Sequence, residues 1–120
     1  MKEPITIDQK NIAAEYIYLT ILLDDLEKDI ETFKKVPVKL QEPYLALLDS
    51  KIKKVLTDMA AVKKQMKEEK IKVVFPDKKA NEDFWYFDYF VNGYKSEFHF
   101  LEAALRNHVN RRMQRYLFGS

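Results

Sequence analysis

The chain has no cysteine among its 120 residues, and this absence excludes several kinds of site at once. Without thiols there is no disulfide, no thiolate metal site and no cysteine nucleophile. Glycine occurs only at positions 93 and 119, too few for a Walker loop or a dinucleotide-binding fingerprint. The three serines, at positions 50, 96 and 120, do not form a nucleophile elbow. The common phosphate-binding and serine-hydrolase sites are therefore excluded.

Residues that make turns are also scarce, with two glycines and four prolines. An all-β fold needs many turns, so this scarcity favours a few long elements. A length of 120 residues fits one domain, and a hydrophobic content of 47% is enough for a real core. We therefore expect a single domain spanning residues 1–120.

No hydrophobic run is long enough to cross a bilayer. The longest, residues 16–23, is interrupted only by Thr20 and is far shorter than the roughly 20 residues that a membrane span requires. The first ten residues, MKEPITIDQK, carry charges where a signal peptide would be apolar. These features predict a soluble, cytoplasmic protein without a membrane partner.

Two apolar stripes with alternating steps of three and four residues predict two long helices. We expect the first at 9–34, with Asp8 as N-cap, and the second at 43–69, after a connection that contains Pro37. Their similar lengths and short connection predict an antiparallel helical hairpin. The stripes are Ile12, Tyr16, Leu19, Leu23, Leu26, Ile30 and Phe33, then Leu45, Leu48, Ile52, Val55, Met59, Val62 and Met66.

A third stripe with the same spacing predicts a helix over 79–117, capped by Asp77 or Asn81. The strong turn signal Asn92-Gly93 lies within it, but the stripe keeps its phase across that point, which favours one continuous or kinked helix. The alternative is a break there, with residues 94–117 folded back as a fourth helix. The stripe comprises Phe84, Phe87, Val91, Tyr94, Phe98, Leu101 and Leu105.

Two short β-favouring segments, 4–7 and 71–75, should lie at the same end of an antiparallel hairpin. They predict either a minimal two-stranded ribbon or extended coil packed on the helices. The predicted fold class is therefore all-α: an antiparallel bundle of three long helices, with or without this ribbon.

The third predicted helix carries more apolar residues than one buried face needs. Surplus aromatic residues lie off its stripe, and further apolar residues lie beyond the ends of its two neighbours. Such a surface on a soluble protein is typical of an association site, and tryptophan and tyrosine are common in interface hot spots. We therefore predict a homodimer whose interface comprises Trp85, Tyr86, Tyr89, Phe90, Phe100, Val109, Met113, Tyr116 and Leu117.

The last fifteen residues contain four arginines and no acid, namely Arg106, Arg111, Arg112 and Arg115. Arginines on one helix can contact phosphates and base edges, so nucleic-acid binding is the alternative function. The overall pI of about 8.6 is below the value above 9 that is usual for such domains. Arginines near a helix C-terminus also stabilise the helix dipole, which is the structural interpretation of this cluster.

No catalytic or metal-binding constellation emerges. Neither His99 nor His108 has an acid three residues before it, as the Glu-x-x-His motif of a di-iron bundle requires. The acidic residues at 24–31 are typical of a solvated helix face. We therefore predict a non-enzymatic protein-interaction module that self-associates and has no cofactor, metal or small-molecule substrate.

Overall fold

The computed structural model describes residues 4–119, which form three helices and a three-stranded antiparallel sheet. The elements in order are α1 (Ile7–Phe33), α2 (Gln41–Glu69), β1 (Ile71–Val74), β2 (Phe84–Val91), β3 (Tyr94–Leu101) and α3 (Glu102–Phe118). The fold is therefore α+β, and the prediction of an all-α bundle of three long helices was wrong.

The helical hairpin lies within two residues of its predicted bounds, but its first cap differs. Thr6, not Asp8, is the N-cap of α1. The Thr6 hydroxyl accepts from the backbone N–H of Gln9 at 3.1 Å, and the Gln9 side chain accepts from the backbone N–H of Thr6 at 2.9 Å. This reciprocal capping box satisfies two amides, while Asp8 lies in the first turn, where the helix dipole favours an acid.

The first part of the predicted third helix is a β-hairpin. Its strands are joined at Asn92 and Gly93, which both have positive φ (50° and 86°), as a two-residue type I′ turn requires. The register runs from the pair Val91 and Tyr94 at the turn to the pair Phe84 and Leu101 at the open end. Helical structure resumes only at Glu102, so a continuous helix over 79–117 and a fourth helix from 94 were both wrong.

The predicted ribbon was wrong in its pairing. Residues 71–74 do form a strand, but β1 pairs antiparallel with β2, from Ile71 opposite Val91 to Val74 opposite Asp88. Residues 4–6 are not in a strand.

Asn81 caps no helix; its side-chain oxygen accepts from the backbone N–H groups of Asp83 and Phe84 and shapes the turn into β2. The strand order is β1-β2-β3.

The core lies between the inner face of the sheet and the half of the helical hairpin nearest to it. Helix α1 is central, because it contacts α2, α3 and β1. Phe87, Tyr89 and Val91 alternate along β2 and point inward with Phe98 of β3. All the buried residues of α1 and α2 lie in this half: Ala13, Ile17, Tyr18, Leu19, Leu22, Leu26, Val55, Met59, Val62 and Met66.

The other half of the hairpin projects beyond the sheet. From residue 27 to residue 54, which we call the distal arm, no residue is buried. The projection gives the molecule its elongated dimensions of 61 × 33 × 23 Å. The arm consists of two helices and their connection, and neither the sheet nor α3 encloses it as they enclose the other half.

Candidate functional site

One face of α2 contacts α3 near the middle of the molecule and then continues along the distal arm, where it carries exposed apolar side chains. The Tyr116 hydroxyl of α3 donates to the carboxylate of Asp58, which marks where α3 contacts this face. Leu47 and Leu40 precede Asp58 by about three and five helical turns, so they lie on the same side of the axis. Both side chains are exposed, as is Tyr44 between them. Phe33 of α1 contacts the Tyr44 ring, which nevertheless remains 48% exposed.

The open face continues into a depression of ≈ 390 Å³ between the arm and the side of α3. Leu26, Phe33, Leu48 and Met113 are among its apolar lining, and the carboxylate of Asp29 is at its edge. The rings of Phe33 and Tyr44 meet edge to face with centroids 5.8 Å apart, which joins the two helices at the far end. We call the exposed Leu40, Tyr44 and Leu47 together with this depression the open arm face.

The two helices of the arm carry opposite charge. On α1, residues 27–33 have three acids and one lysine, a net charge of −2. On α2, residues 41–54 have three lysines and two acids, a net charge of +1. The ion pairs of the arm are contacts between residues three or four positions apart: Lys28 with Asp24, Lys34 with Glu31, and Lys53 with Asp49. The arm therefore has an acidic side and a weakly basic side.

The structure separates the residues that the sequence predicted as one interface. Tyr89 and Val109 are both 2% exposed and belong to the core of the chain itself. Trp85 and Phe100 are partly buried and pack against that core from the inner face of the sheet. Met113 and Tyr116, also partly buried, pack there from α3, and Leu117 follows them.

Tyr86 and Phe90 occupy the opposite, outer face of the sheet. The Tyr86 ring stacks on His99 of β3 at 3.9 Å between centroids, and Phe90 is opposite Lys95. No other described element packs over this face. It mixes aromatic side chains with charged ones such as Lys95, which lies 3.7 Å from Asp88. An antiparallel sheet commonly has one such solvated face.

Two of the four predicted nucleic-acid contacts have partners within the chain. The guanidinium of Arg112 donates to both carboxylate oxygens of Glu15 and lies over the Tyr18 ring at 4.3 Å. Only 13% of the Arg112 side chain is exposed. Arg106 pairs with Asp25. Arg111 and Arg115 are exposed and form no ion pair with the described residues.

The contacts between α3 and the helical hairpin also shift the pKa values of three side chains. Burial raises the pKa of the Tyr18 hydroxyl. Burial likewise raises the pKa of Tyr116, and its hydrogen bond to Asp58 adds to this. His108 stacks on Tyr18 at 4.5 Å between centroids, and burial followed by the charge of Arg112 lowers its pKa. The sequence carried no signal for these contacts, since the residues involved are up to 97 positions apart.

Within residues 4–119, no three histidine or acidic side chains are grouped as a metal site would require. In the same range, no helix combines the length and the hydropathy of a membrane span.

A protein-family model described as "YhjD protein" matches residues 4–120. The chain belongs to the YhjD family. It is similar to the "Uncharacterized protein YhjD" of Bacillus subtilis (strain 168), with 22% identity over 103 residues. That match spans 86% of this chain and 84% of the relative. No solved structure matches the chain.

Proposed function

We propose that this protein is a non-enzymatic interaction module of the cytoplasm that self-associates through its open arm face. The observation that supports the proposal most is the continuity of one face of α2. At Asp58, α3 contacts that face through Tyr116; further along, the face carries the exposed Leu40, Tyr44 and Leu47. An apolar continuation of a buried face is a surface of the kind that a further helix covers in helical bundles.

A second copy of the chain is the occupant that the charges favour. A two-fold axis presents the same surface on both protomers. If the two arms pack side by side, the acidic side of α1 in one protomer meets the weakly basic side of α2 in its partner. The contact then gains opposite-charge pairs at its rim while the leucines fill its centre, as in interfaces with an apolar core and a polar rim. The arm is in this sense complementary to itself.

The sparse packing of the arm also favours contact with further helices. Two helices with no buried residue between positions 27 and 54 gain little from their own packing. Two arms together form a four-helix bundle, in which the inward residues of each helix are enclosed. A stable interface of standard size buries about 800 Å² on each partner. Two helical segments and their connection provide a surface of that order.

Nucleic-acid binding has less support than self-association. Of the four arginines proposed to contact phosphates, Arg106 and Arg112 already neutralise Asp25 and Glu15. Arg111 and Arg115 remain, and two phosphate contacts predict only a shallow dependence of affinity on salt. A mobility-shift titration with duplex DNA and with RNA at low salt tests this alternative directly.

Two leucines on α2 make a matched test of self-association. Leu47 is 46% exposed and Leu56 is 47% exposed, but nine residues separate them, which places them on opposite sides of the helix. We expect the native protein to sediment as a particle of twice 14.3 kDa. Leu47→Glu places a charge in the proposed interface and should leave only monomers. Leu56→Glu carries the same chemical change away from it and should remain dimeric.

The same experiment can contradict the proposal in two ways. A native protein that is monomeric throughout the micromolar range would refute self-association. A dimer that survives Leu47→Glu but dissociates with Tyr86→Glu would locate the interface on the outer face of the sheet instead. Far-UV circular dichroism of each variant checks that the fold is retained, which the exposure of all three side chains leads us to expect.

A further inference from the structure

The sheet end of the molecule contains a groove of ≈ 750 Å³, a volume within the range of small-molecule sites. It lies between α1, the 75–83 connection and the first turns of α3. Trp85 and Phe87 of β2 line it together with Phe75 from the connection and Leu105 from α3. Trp85, the one tryptophan of the chain, is only partly buried there. The lining is thus largely aromatic, and Trp85 and Phe75 are accessible to solvent within it.

The charges around the groove are predominantly negative. Four acids and two basic side chains line it, a net charge of −2: Asp24, Glu82, Asp83 and Glu102 against Lys28 and Arg106. Most of these charges are paired, because Lys28 contacts Asp24, Lys79 contacts Glu102, and Arg106 contacts Asp25. The side chains of Glu82 and Asp83 have no ion-pair partner within residues 4–119. The unbalanced charge therefore lies in these two neighbours, which precede Trp85 closely in the chain.

We call Glu82 and Asp83 the acidic lip of the groove. Hydrogen bonds to the backbone hold this segment in place. The side-chain oxygen of Asn81 accepts from the amides of Asp83 and Phe84 at 2.9 and 3.0 Å. The carbonyl oxygen of Asp83 accepts from the amide of Glu102 at 2.7 Å, which joins the lip to the start of α3. The backbone of this segment is thus held in place without a ligand, and a preorganised backbone loses less conformational entropy on binding.

We propose that this groove binds a small organic cation that has an apolar body and an ammonium head. The apolar body contacts Trp85 and the neighbouring aromatic side chains, whereas the ammonium group faces Glu82 and Asp83. An ammonium group near the face of an aromatic ring is attracted by the quadrupole of the ring, and tryptophan is the strongest partner of this kind. The same charges disfavour anions of similar size. The groove shares Arg106 and Val109 with the depression of the open arm face, but Glu82, Asp83 and Trp85 lie outside that face, so the proposal does not depend on self-association.

Trp85 supplies a built-in probe of the groove, since it is the only tryptophan. We would titrate the full chain with benzyltrimethylammonium and follow the tryptophan emission, with equilibrium dialysis as an independent measure of binding. Benzyl alcohol and benzenesulfonate serve as neutral and anionic probes with the same ring. The proposal predicts saturable binding of the cation in the micromolar to millimolar range, weaker binding of the neutral probe, and none of the anion.

Charge-matched double variants separate a local contact from a general effect of net charge. Glu82→Gln with Asp83→Asn removes both unpaired carboxylates of the lip and should weaken binding of the cation roughly fivefold, the effect of two exposed charge pairs. Glu27→Gln with Glu68→Gln removes two exposed carboxylates elsewhere and should leave the affinity unchanged. Equal affinities of the two double variants would overturn the proposal. So would the absence of saturable binding by both methods, or equal binding of the three probes.

Discussion

The two ends of the helical hairpin differ in how many layers cover them. At the sheet end, α1 lies against α2, α3 and β1, and every buried residue of α1 and α2 is found there. In the distal arm the apolar stripe continues through Ile30 on α1 and through Leu45, Leu48 and Ile52 on α2, but none of these side chains is buried. An amphipathic stripe therefore predicts a helix equally well in both places, and it does not reveal whether the chain itself completes the core.

The largest difference between the two ends should appear in core truncations. Ile17 is fully buried, so Ile17→Ala removes packing and leaves a cavity, with an expected loss of about 2–5 kcal/mol in the free energy of unfolding. Ile30→Ala makes the same change on the same helix within the distal arm, where the side chain is only partly buried. There we expect about 1 kcal/mol. Urea unfolding at a protein concentration low enough to keep the chain monomeric measures both, and equal losses would contradict the layered description.

The second prediction concerns the ion pair that fastens α3 to the sheet end. Arg112→Met removes the guanidinium from Glu15 and Tyr18 and leaves a partly buried carboxylate without its partner. Breaking a fully buried pair costs about 3–5 kcal/mol, so we expect about 1–3 kcal/mol here. Lys95→Met, which removes an exposed partner 3.7 Å from Asp88, should cost less than about 1 kcal/mol. Thermal or urea unfolding of both variants decides whether Arg112 is structural.

A smaller effect is expected at the turn of the β-hairpin. Gly93→Ala places a side chain at φ 86°, a left-handed conformation that costs other residues about 1–2 kcal/mol. Gly119→Ala makes the same change at φ 72°, but this position follows the last turn of α3, where fraying relieves the strain. Nothing lies within 4 Å of the added carbon at either glycine, so backbone conformation alone is compared. If Gly93→Ala were neutral in urea unfolding, the type I′ turn would be in doubt.

The smallest prediction is a dependence of stability on pH through His108. Its pKa in the folded protein is lowered from the ordinary value of 6.5, mainly by burial, so the unfolded chain binds a proton first as the pH falls. The contribution of His108 to stability is therefore complete above pH 6.5 and decreases below that value. Titratable neighbours are Glu15 and Tyr18 from α1 and Arg111 and Arg112 from α3. His108→Gln should flatten the curve of unfolding free energy in this range, and an unchanged curve would assign the slope to other groups.

The helical hairpin could be predicted from the sequence because the apolar residues of α1 and α2 follow helical spacing and no strand-like alternation overlaps it. From Phe84 to Leu101, in contrast, two patterns share the same residues. Phe84, Phe87 and Val91 fit a helical stripe, but Phe84 faces outward from the sheet while Phe87 and Val91 face inward. The alternation of Trp85, Phe87, Tyr89 and Val91, followed by Asn92-Gly93, was the pattern that the chain follows. Turn chemistry decided the outcome, and a continuous stripe across an Asn-Gly pair is weak evidence against a hairpin.

For the candidate site, the sequence could predict the apolar residues but not their exposure. Leu40 and Leu47 are visible in the sequence as apolar residues of the hairpin, but their exposure depends on the extent of α3. That helix is 17 residues long, about 25 Å, because the β-hairpin occupies the first part of the segment predicted as helical. A 39-residue helix over 79–117 would have changed which faces of α1 and α2 are covered. The open arm face therefore follows from the β-hairpin, which the sequence analysis missed.

The central claim is that two arms meet across the open arm face, and intermolecular spin labelling tests it most directly. The chain has no cysteine, so Lys51→Cys and Lys53→Cys each accept a single label. Lys51 lies about one turn beyond Leu47 on the same side of α2, whereas Lys53, two residues later, lies on the far side. Dipolar coupling between protomers should be strong and short-range for labels at 51 and clearly weaker for labels at 53. Equal coupling at the two positions, or none at 51 while the protein is dimeric, would contradict the account.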